Sequence, residues 1–262
     1  MNRNDVWLLF AGFIASSVNA AAGGGTLLSF PALLAAGLSP LAANATSTVG
    51  LLPGSFASIA AYRRELGGVR AEAVRLLWPS IIGGAFGAFL LVFLGDSVFA
   101  AVVPALLLGS SVLLVAQPLA LRFLQRGQAS VDRSGARFGL TAVLAATLVI
   151  AIYAGYFGAG AGILFLGAMG LLLDRSLASV NALKVVMAFI ANAVAAIAFA
   201  VMQYLHPANA ALHFREALPL GLGALLGGYL GVGLVRKLPP SVLRAFAALI
   251  GVGIALYLAL RR

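Results

Sequence analysis

The chain contains no cysteine. Disulfides, thiolate chemistry and cysteine-ligated zinc or iron–sulfur sites are therefore excluded. Charge is also scarce. Only 9% of the 262 residues are Asp, Glu, Lys or Arg, against about a quarter in an ordinary soluble domain. So few charges cannot cover a surface in contact with water. The acids are Asp5, Glu65, Glu72, Asp96, Asp132, Asp174 and Glu216, and each lies at an end of the chain or between apolar runs. No Walker motif is present, so a single-chain ATP-driven machine is excluded.

What is abundant is apolar sequence, at 62% of the chain. It is organised as runs at about 6–22, 26–36, 41–62, 76–94, 98–121, 138–157, 161–173, 177–205, 217–235 and 241–260. About 20 apolar residues suffice for a helix to cross a bilayer. Runs of about 11 do not, at roughly 1.5 Å per residue. The expected fold is an all-α integral membrane protein with eight long transmembrane helices and two short segments that follow glycine breaks. Arg3 and the small residues at Asn19-Ala20-Ala21 resemble a secretory signal. The pattern continues past them and recurs later, so a retained first helix is expected. The net charge of +10 does not point to nucleic acid. Its arginines sit in short stretches beside apolar runs, as at Arg63, Arg64, Arg70 and Arg75, where cytoplasmic loops of membrane proteins carry them.

The chain is duplicated. Gly24 pairs with Gly160 and Leu28 with Leu164; Asn44-Ala45 pairs with Asn181-Ala182. Further on, Gly83, Gly84 and Gly87 pair with Gly227, Gly228 and Gly231. The offset grows from 136 (24 to 160) to 144 (83 to 227). Residues 1–121 form a first membrane repeat, 122–137 a polar linker loop and 138–262 a second repeat. If each short segment returns the chain to its starting side, the repeats are inverted; if it completes the crossing, they are parallel. Either arrangement gathers most Lys and Arg on one side, so the positive-inside rule does not choose. Inverted repeats are expected because membrane carriers commonly use them.

Two matched glycine breaks between apolar segments are where a membrane protein opens its backbone, and opened backbone must be buried or line a cavity. Glycine permits the sharp turn and close approach of a ligand. The following helix offers free N–H groups and the positive end of its dipole to an anion. Gly23, Gly24, Gly25 and Thr26 form the first such place, and Gly160, Ala161 and Gly162 the second. The competing reading is close helix packing, which fits the mid-span glycines at 83, 84, 87, 227, 228 and 231. Asn44, Thr46 and Ser47 open the third run, and Asn181 and Lys184 occupy the matching stretch. Amides and hydroxyls can bind oxyanion oxygens. Lys184 is a charge inside a span, a functional candidate by default, with snorkelling to the interface as its alternative. Asn192 either lines the pathway or bridges helices. Asn19, Ser16, Ser17, Tyr153 and Tyr156 flank the breaks and could complete a polar lining. His206 and His213 lie in a polar loop without ligand spacing, so no metal site and no cofactor is expected.

The stretch Asn19-Ala20-Ala21-Ala22-Gly23-Gly24-Gly25-Thr26-Leu27-Leu28-Ser29-Phe30-Pro31 through Leu38, followed by Asn44-Ala45-Thr46-Ser47, resembles the N-terminal signature of the TauE/SafE sulfite exporter family. Phe157-Gly158-Ala159-Gly160-Ala161-Gly162-Ile163-Leu164 with Asn181-Ala182 resembles its second-half motif, departing from it at Ala159 and Ala161. The resemblance implies a permease for a small anion, sulfite or an organosulfonate such as sulfoacetate, in a bacterial inner membrane. The alternatives are a carrier or channel for a carboxylate or other small solute, and a non-transport assembly subunit. An enzyme is not expected, since no nucleophile–base pair lies in the spans. The expected partners are a small anionic solute and membrane lipid, with no nucleic acid; a homodimer is left open. Because no acid lies within a span, coupling through an intramembrane carboxylate is not expected.

Overall fold

A computed structural model describes residues 3–128, 139–205, 212–235 and 240–260. Every element among them is helical: α1 (Arg3–Ala22), α2 (Thr26–Ala35), α3 (Pro40–Ala61), α4 (Arg63–Gly67), α5 (Arg70–Gln128), α6 (Gly139–Tyr156), α7 (Ala161–Leu172), α8 (Leu177–Leu205), α9 (Phe214–Val235) and α10 (Pro240–Leu260). Helices satisfy their own backbone hydrogen bonds, which hydrocarbon demands. Four stretches are both long and apolar enough to cross a bilayer: Arg70–Leu119, Gly139–Tyr156, Leu177–Leu205 and Ser241–Leu260. α1, α3 and α9 match them in length, with 20, 22 and 22 residues. α2 and α7 have 10 and 12, which reach only about half of the ~30 Å hydrocarbon core. Large apolar side chains such as Trp78, Phe93, Val112 and Leu249 are exposed, as lipid-facing residues are. The chain is a multi-pass membrane protein.

α5 is two arms. Gly95, at φ +75° and ψ 177°, joins residues 70–94 to residues 96–128 in a conformation that side chains rarely adopt. The second arm continues to Gln128, into the stretch 122–137 expected as a polar linker. Arg, Gln and Leu are good helix formers and carry α5 past its apolar run. Residues 129–138 lie outside the described chain.

Contacts between helices give their directions. Along α3 and α9, the His213 N–H donates to Thr46 Oγ1 at 3.1 Å, Gly50 lies against Leu220, and Gly54 against Ala224 and Gly228. The numbers rise together, so the two helices run the same way. α1 joins them, with Gly12 against Leu220 and Ser17 Oγ donating to Gly227 O at 3.2 Å. In the other half, Glu72 pairs with Arg175, Ser80 Oγ donates to Met187 Sδ at 3.2 Å, and Gly84 meets Ala191. Gly83 meets Ala151 and Gly87 meets Tyr156. The first arm of α5 therefore runs parallel to α6 and α8. Asp96, just past that arm, accepts from Ser39 Oγ and Leu41 N, both at 2.9 Å. The start of α3 thus sits beside the end of the arm, and the two groups of helices oppose each other. Because α1 and α3 share a direction, α2 between them turns the chain back. α7 does the same between α6 and α8.

The halves interleave. α9 packs on α1 and α3, while the first arm of α5 packs on α6 and α8. These contacts bring backbone against backbone at Gly83, Gly84, Gly87, Gly227 and Gly228, which is the packing use of small residues in membranes. Gly231 lies outside the residues whose packing is described. The Asp96 carboxylate caps the N-terminus of α3 together with Ser39, whose Oγ also accepts from Ala42 N. Replacing Asp96 with Ala is expected to destabilise the detergent-solubilised protein by about 1 kcal/mol. An unchanged thermal unfolding midpoint would show that this cap carries no weight.

Candidate functional site

The two glycine breaks meet. A Cβ built on Gly23 would lie 3.2 Å from Gly162 Cα, and one built on Gly162 would lie 3.1 Å from Gly23 Cα. Gly23 also has φ +80°. Beside this junction is a cavity of about 40 Å³. By the space that buried waters need, it holds about three of them, or one compact ion.

Five segments line it: Asn19, Ala20 and Gly23 from the first break; Thr26 from the start of α2; Gly158, Ala161 and Gly162 from the second break and the start of α7; and one face each of α3 and α8. The α3 face is Thr48, Leu51, Leu52, Ser55 and Ser58; the α8 face is Lys184, Val185, Ala188, Phe189 and Asn192. Both follow the spacing of three and four residues that stacks side chains on one helical face. They are also related by the duplication. With the offset of Asn44 to Asn181, which is 137, Ser55 corresponds to Asn192 and Leu52 to Phe189.

Lys184 is 3% exposed and does not reach the interface. It lines the cavity, and neither salt bridge described, Glu72 with Arg175 or Glu216 with His213, involves it. Donors converge from the backbone as well. At the first break Leu27, Leu28 and Ser29 bond back to Gly24 and Gly25, and at the second Ile163 and Leu164 bond back to Gly160. Thr26 and Gly162 stand in the first turns of α2 and α7, where helix N–H groups have no intrahelical acceptor. Both residues line the cavity, at the starts of two short helices. An ammonium and two helix N-termini around one small space form a setting for an anion.

Of the residues singled out from the sequence, Asn19, Gly23, Thr26, Ala161, Gly162, Lys184 and Asn192 are brought together in this cavity. Gly24 faces Leu114. Gly25 donates to Asn19 Oδ1 at 3.3 Å, and Gly160 lies against Ser110. Asn44 is fully buried and donates to Tyr156 O at 2.9 Å. Thr46 accepts from His213 N, and Ser47 bonds Ser29 at 2.6 Å. Asn181 lies before the lining face of α8. Ser55 and Ser58 line the cavity and were not singled out. Their signal was available: they continue the face of Thr48 at seven and ten residues.

A family model described as "Sulfite exporter TauE/SafE" matches residues 8–258. The "Probable membrane transporter protein YfcA" of Escherichia coli K12 is 30% identical over 156 residues, 59% of this chain and 55% of that protein; the match spans about half of that relative's length. The "Probable membrane transporter protein ORF9" of Sinorhizobium is 26% identical over 253 residues, covering 96% of this chain and 91% of its own. A "Probable membrane transporter protein" of Haemophilus influenzae is 26% identical over 241 residues, covering 90% and 87%. No solved structure matches. The match over nearly the whole length, on a helical chain whose paired glycine breaks meet at one cavity, means that the chain belongs to the TauE/SafE sulfite exporter family, a family of membrane transporters and not of enzymes.

Proposed function

We propose that this protein is a secondary carrier of a small oxyanion, sulfite or an organosulfonate such as sulfoacetate, working by alternating access in a bacterial inner membrane. The observation that carries this reading is that Lys184, buried and without a carboxylate partner among the described residues, lines one cavity together with Thr26 and Gly162 at the starts of α2 and α7. The cavity's small size suits a compact solute. The opposed directions of the helix groups support eight crossings arranged as inverted repeats, with α2 and α7 as re-entrant segments and the site where the repeats meet.

The same directions support an orientation. Arg63, Arg64, Arg70, Arg75 and Arg175 lie at one end of the bundle, with Asp96 at the other. The basic end faces the cytoplasm by the positive-inside rule. Since the chain has no cysteine, single introduced cysteines report cleanly. In intact spheroplasts, Ser97→Cys is expected to react with an impermeant maleimide and Arg64→Cys only after permeabilisation; the reverse pattern refutes the orientation.

The function itself is tested in proteoliposomes loaded with labelled sulfite or sulfoacetate. Saturable flux of one of these anions is the expected result. Folded protein that moves no anion sinks the reading.

A further inference from the structure

The two breaks are held in different ways. At the first, Asn19 Oδ1 accepts the Gly25 N–H, and Asn19 itself lines the cavity. At the second, the support comes from outside the cavity. Ser110, on the second arm of α5 and 1% exposed, reaches the carbonyl of Ala159 with Oγ at 2.8 Å. The Tyr153 hydroxyl reaches the same carbonyl at 2.5 Å, and the two hydroxyls are 2.8 Å apart. Ser110 Oγ is also 2.7 Å from Leu106 O. Two hydroxyl protons serve these four contacts, so they are shared among them, and either hydroxyl can donate to the Ala159 carbonyl.

Neither Ser110 nor Tyr153 lines the cavity, but Gly158, Ala161 and Gly162 on either side of the clamped carbonyl do. A peptide unit is planar and trans, with its C=O and N–H pointing opposite ways. Holding the Ala159 carbonyl toward Ser110 and Tyr153 therefore turns the Gly160 N–H away from them. It also sets the angle at which α7 begins, and with it the Gly162 N–H. The duplication does not repeat this device: at the offset of 136, Tyr153 corresponds to Ser17, which bonds Phe13 O and Gly227 O instead.

We infer that Ser110 and Tyr153 are positioning residues that orient the second break's amides for the anion, and so set its affinity without touching it. This rests on the anion-carrier reading above. Either hydroxyl alone can hold the carbonyl, so the two are redundant.

The test is a double-mutant cycle in proteoliposomes, reading KM and maximal rate for labelled sulfite and sulfoacetate together with the unfolding midpoint of each variant. Tyr153→Phe and Ser110→Ala are each expected to raise KM less than about fivefold, the scale of one neutral hydrogen bond. The double variant is expected to raise it about 30-fold or more, beyond the product of the singles, as contacts sharing one partner do. Maximal rate should change little. Ser110→Thr in the Tyr153→Phe background should bring KM from the double variant's level back to that of Tyr153→Phe alone, because it keeps a hydroxyl where alanine has none. A double variant that folds and keeps the wild-type KM overturns the inference while leaving the carrier reading intact, as does a loss confined to maximal rate or failure of the threonine rescue. If the wild-type protein moves no anion, both fall together.

Discussion

Lys184→Gln is expected to weaken anion binding by about 100-fold, the scale for removing one partner from a buried charge pair. The empty protein should at the same time become more stable. A buried ammonium is costly without a carboxylate, and Lys184 is 3% exposed with no carboxylate partner among the described residues. Removing the charge relieves that cost only when no anion is present. The two effects thus have opposite signs. Titration with sulfite reads the first as a lost ligand-induced shift, and thermal unfolding in detergent without anion reads the second as a raised midpoint for the variant. Glutamine preserves hydrogen bonding and most of the volume, so a change of shape does not account for the result. Unchanged anion affinity in a folded Lys184→Gln protein removes this residue from the site. A lowered midpoint without ligand would mean that the ammonium has a partner in the empty protein.

Gly23→Val is expected to cost about 2–5 kcal/mol and to abolish transport. Two terms add. Positive φ is unfavourable for a residue with a Cβ by roughly 1–2 kcal/mol, and Gly23 has φ +80°. Overpacking adds about 1–3 kcal/mol, because the new Cβ would press on the Gly162 backbone at 3.2 Å. Gly37 separates the terms. It has φ +98° with nothing within 4 Å of a built Cβ, so Gly37→Ala measures the conformational term alone. Gly23→Ala should exceed it, and the excess belongs to the meeting of the two breaks. Equal losses at the two positions would mean that the breaks do not press on one another. The transport loss follows from geometry: separating Gly23 from Gly162 moves the N-termini of α2 and α7 apart, and a displaced donor loses its hold on a small ion.

Much of the cavity's lining was legible before any coordinates, and the singled-out residues that lie elsewhere do so for a common reason. Asn44, Thr46, Ser47 and Thr48 are nearly consecutive, so on a helix they point around its whole circumference. Only Thr48 reaches the cavity. Asn44 turns to Tyr156 O, Thr46 to the start of α9 and Ser47 to Ser29. Local composition marks the segment as polar but does not set its rotation. That rotation is imposed by α9, whose Leu220 and Ala224 lie against Gly50 and Gly54. Once it is set, Ser55 and Ser58 follow on the same face as Thr48. On α8 the reading was easier. Lys184 and Asn192 stand among Ala, Val, Met and Phe, so their polarity alone singled them out.

The helical class, the membrane setting and the position of both breaks were all written in the sequence. They depend on apolar run length and on glycine, which act locally. The direction in which each short segment runs was not. An 11-residue apolar run is the same object whether it completes a crossing or turns back, and its charge flanks were equal either way. Contacts far apart in the chain, such as Asp96 with Ser39 and Leu41, and Thr46 with His213, give that direction. So does the meeting of the breaks: Gly23 and Gly162 touch because α9 grips the first half and α5 the second, a relation between distant helices that no local pattern encodes.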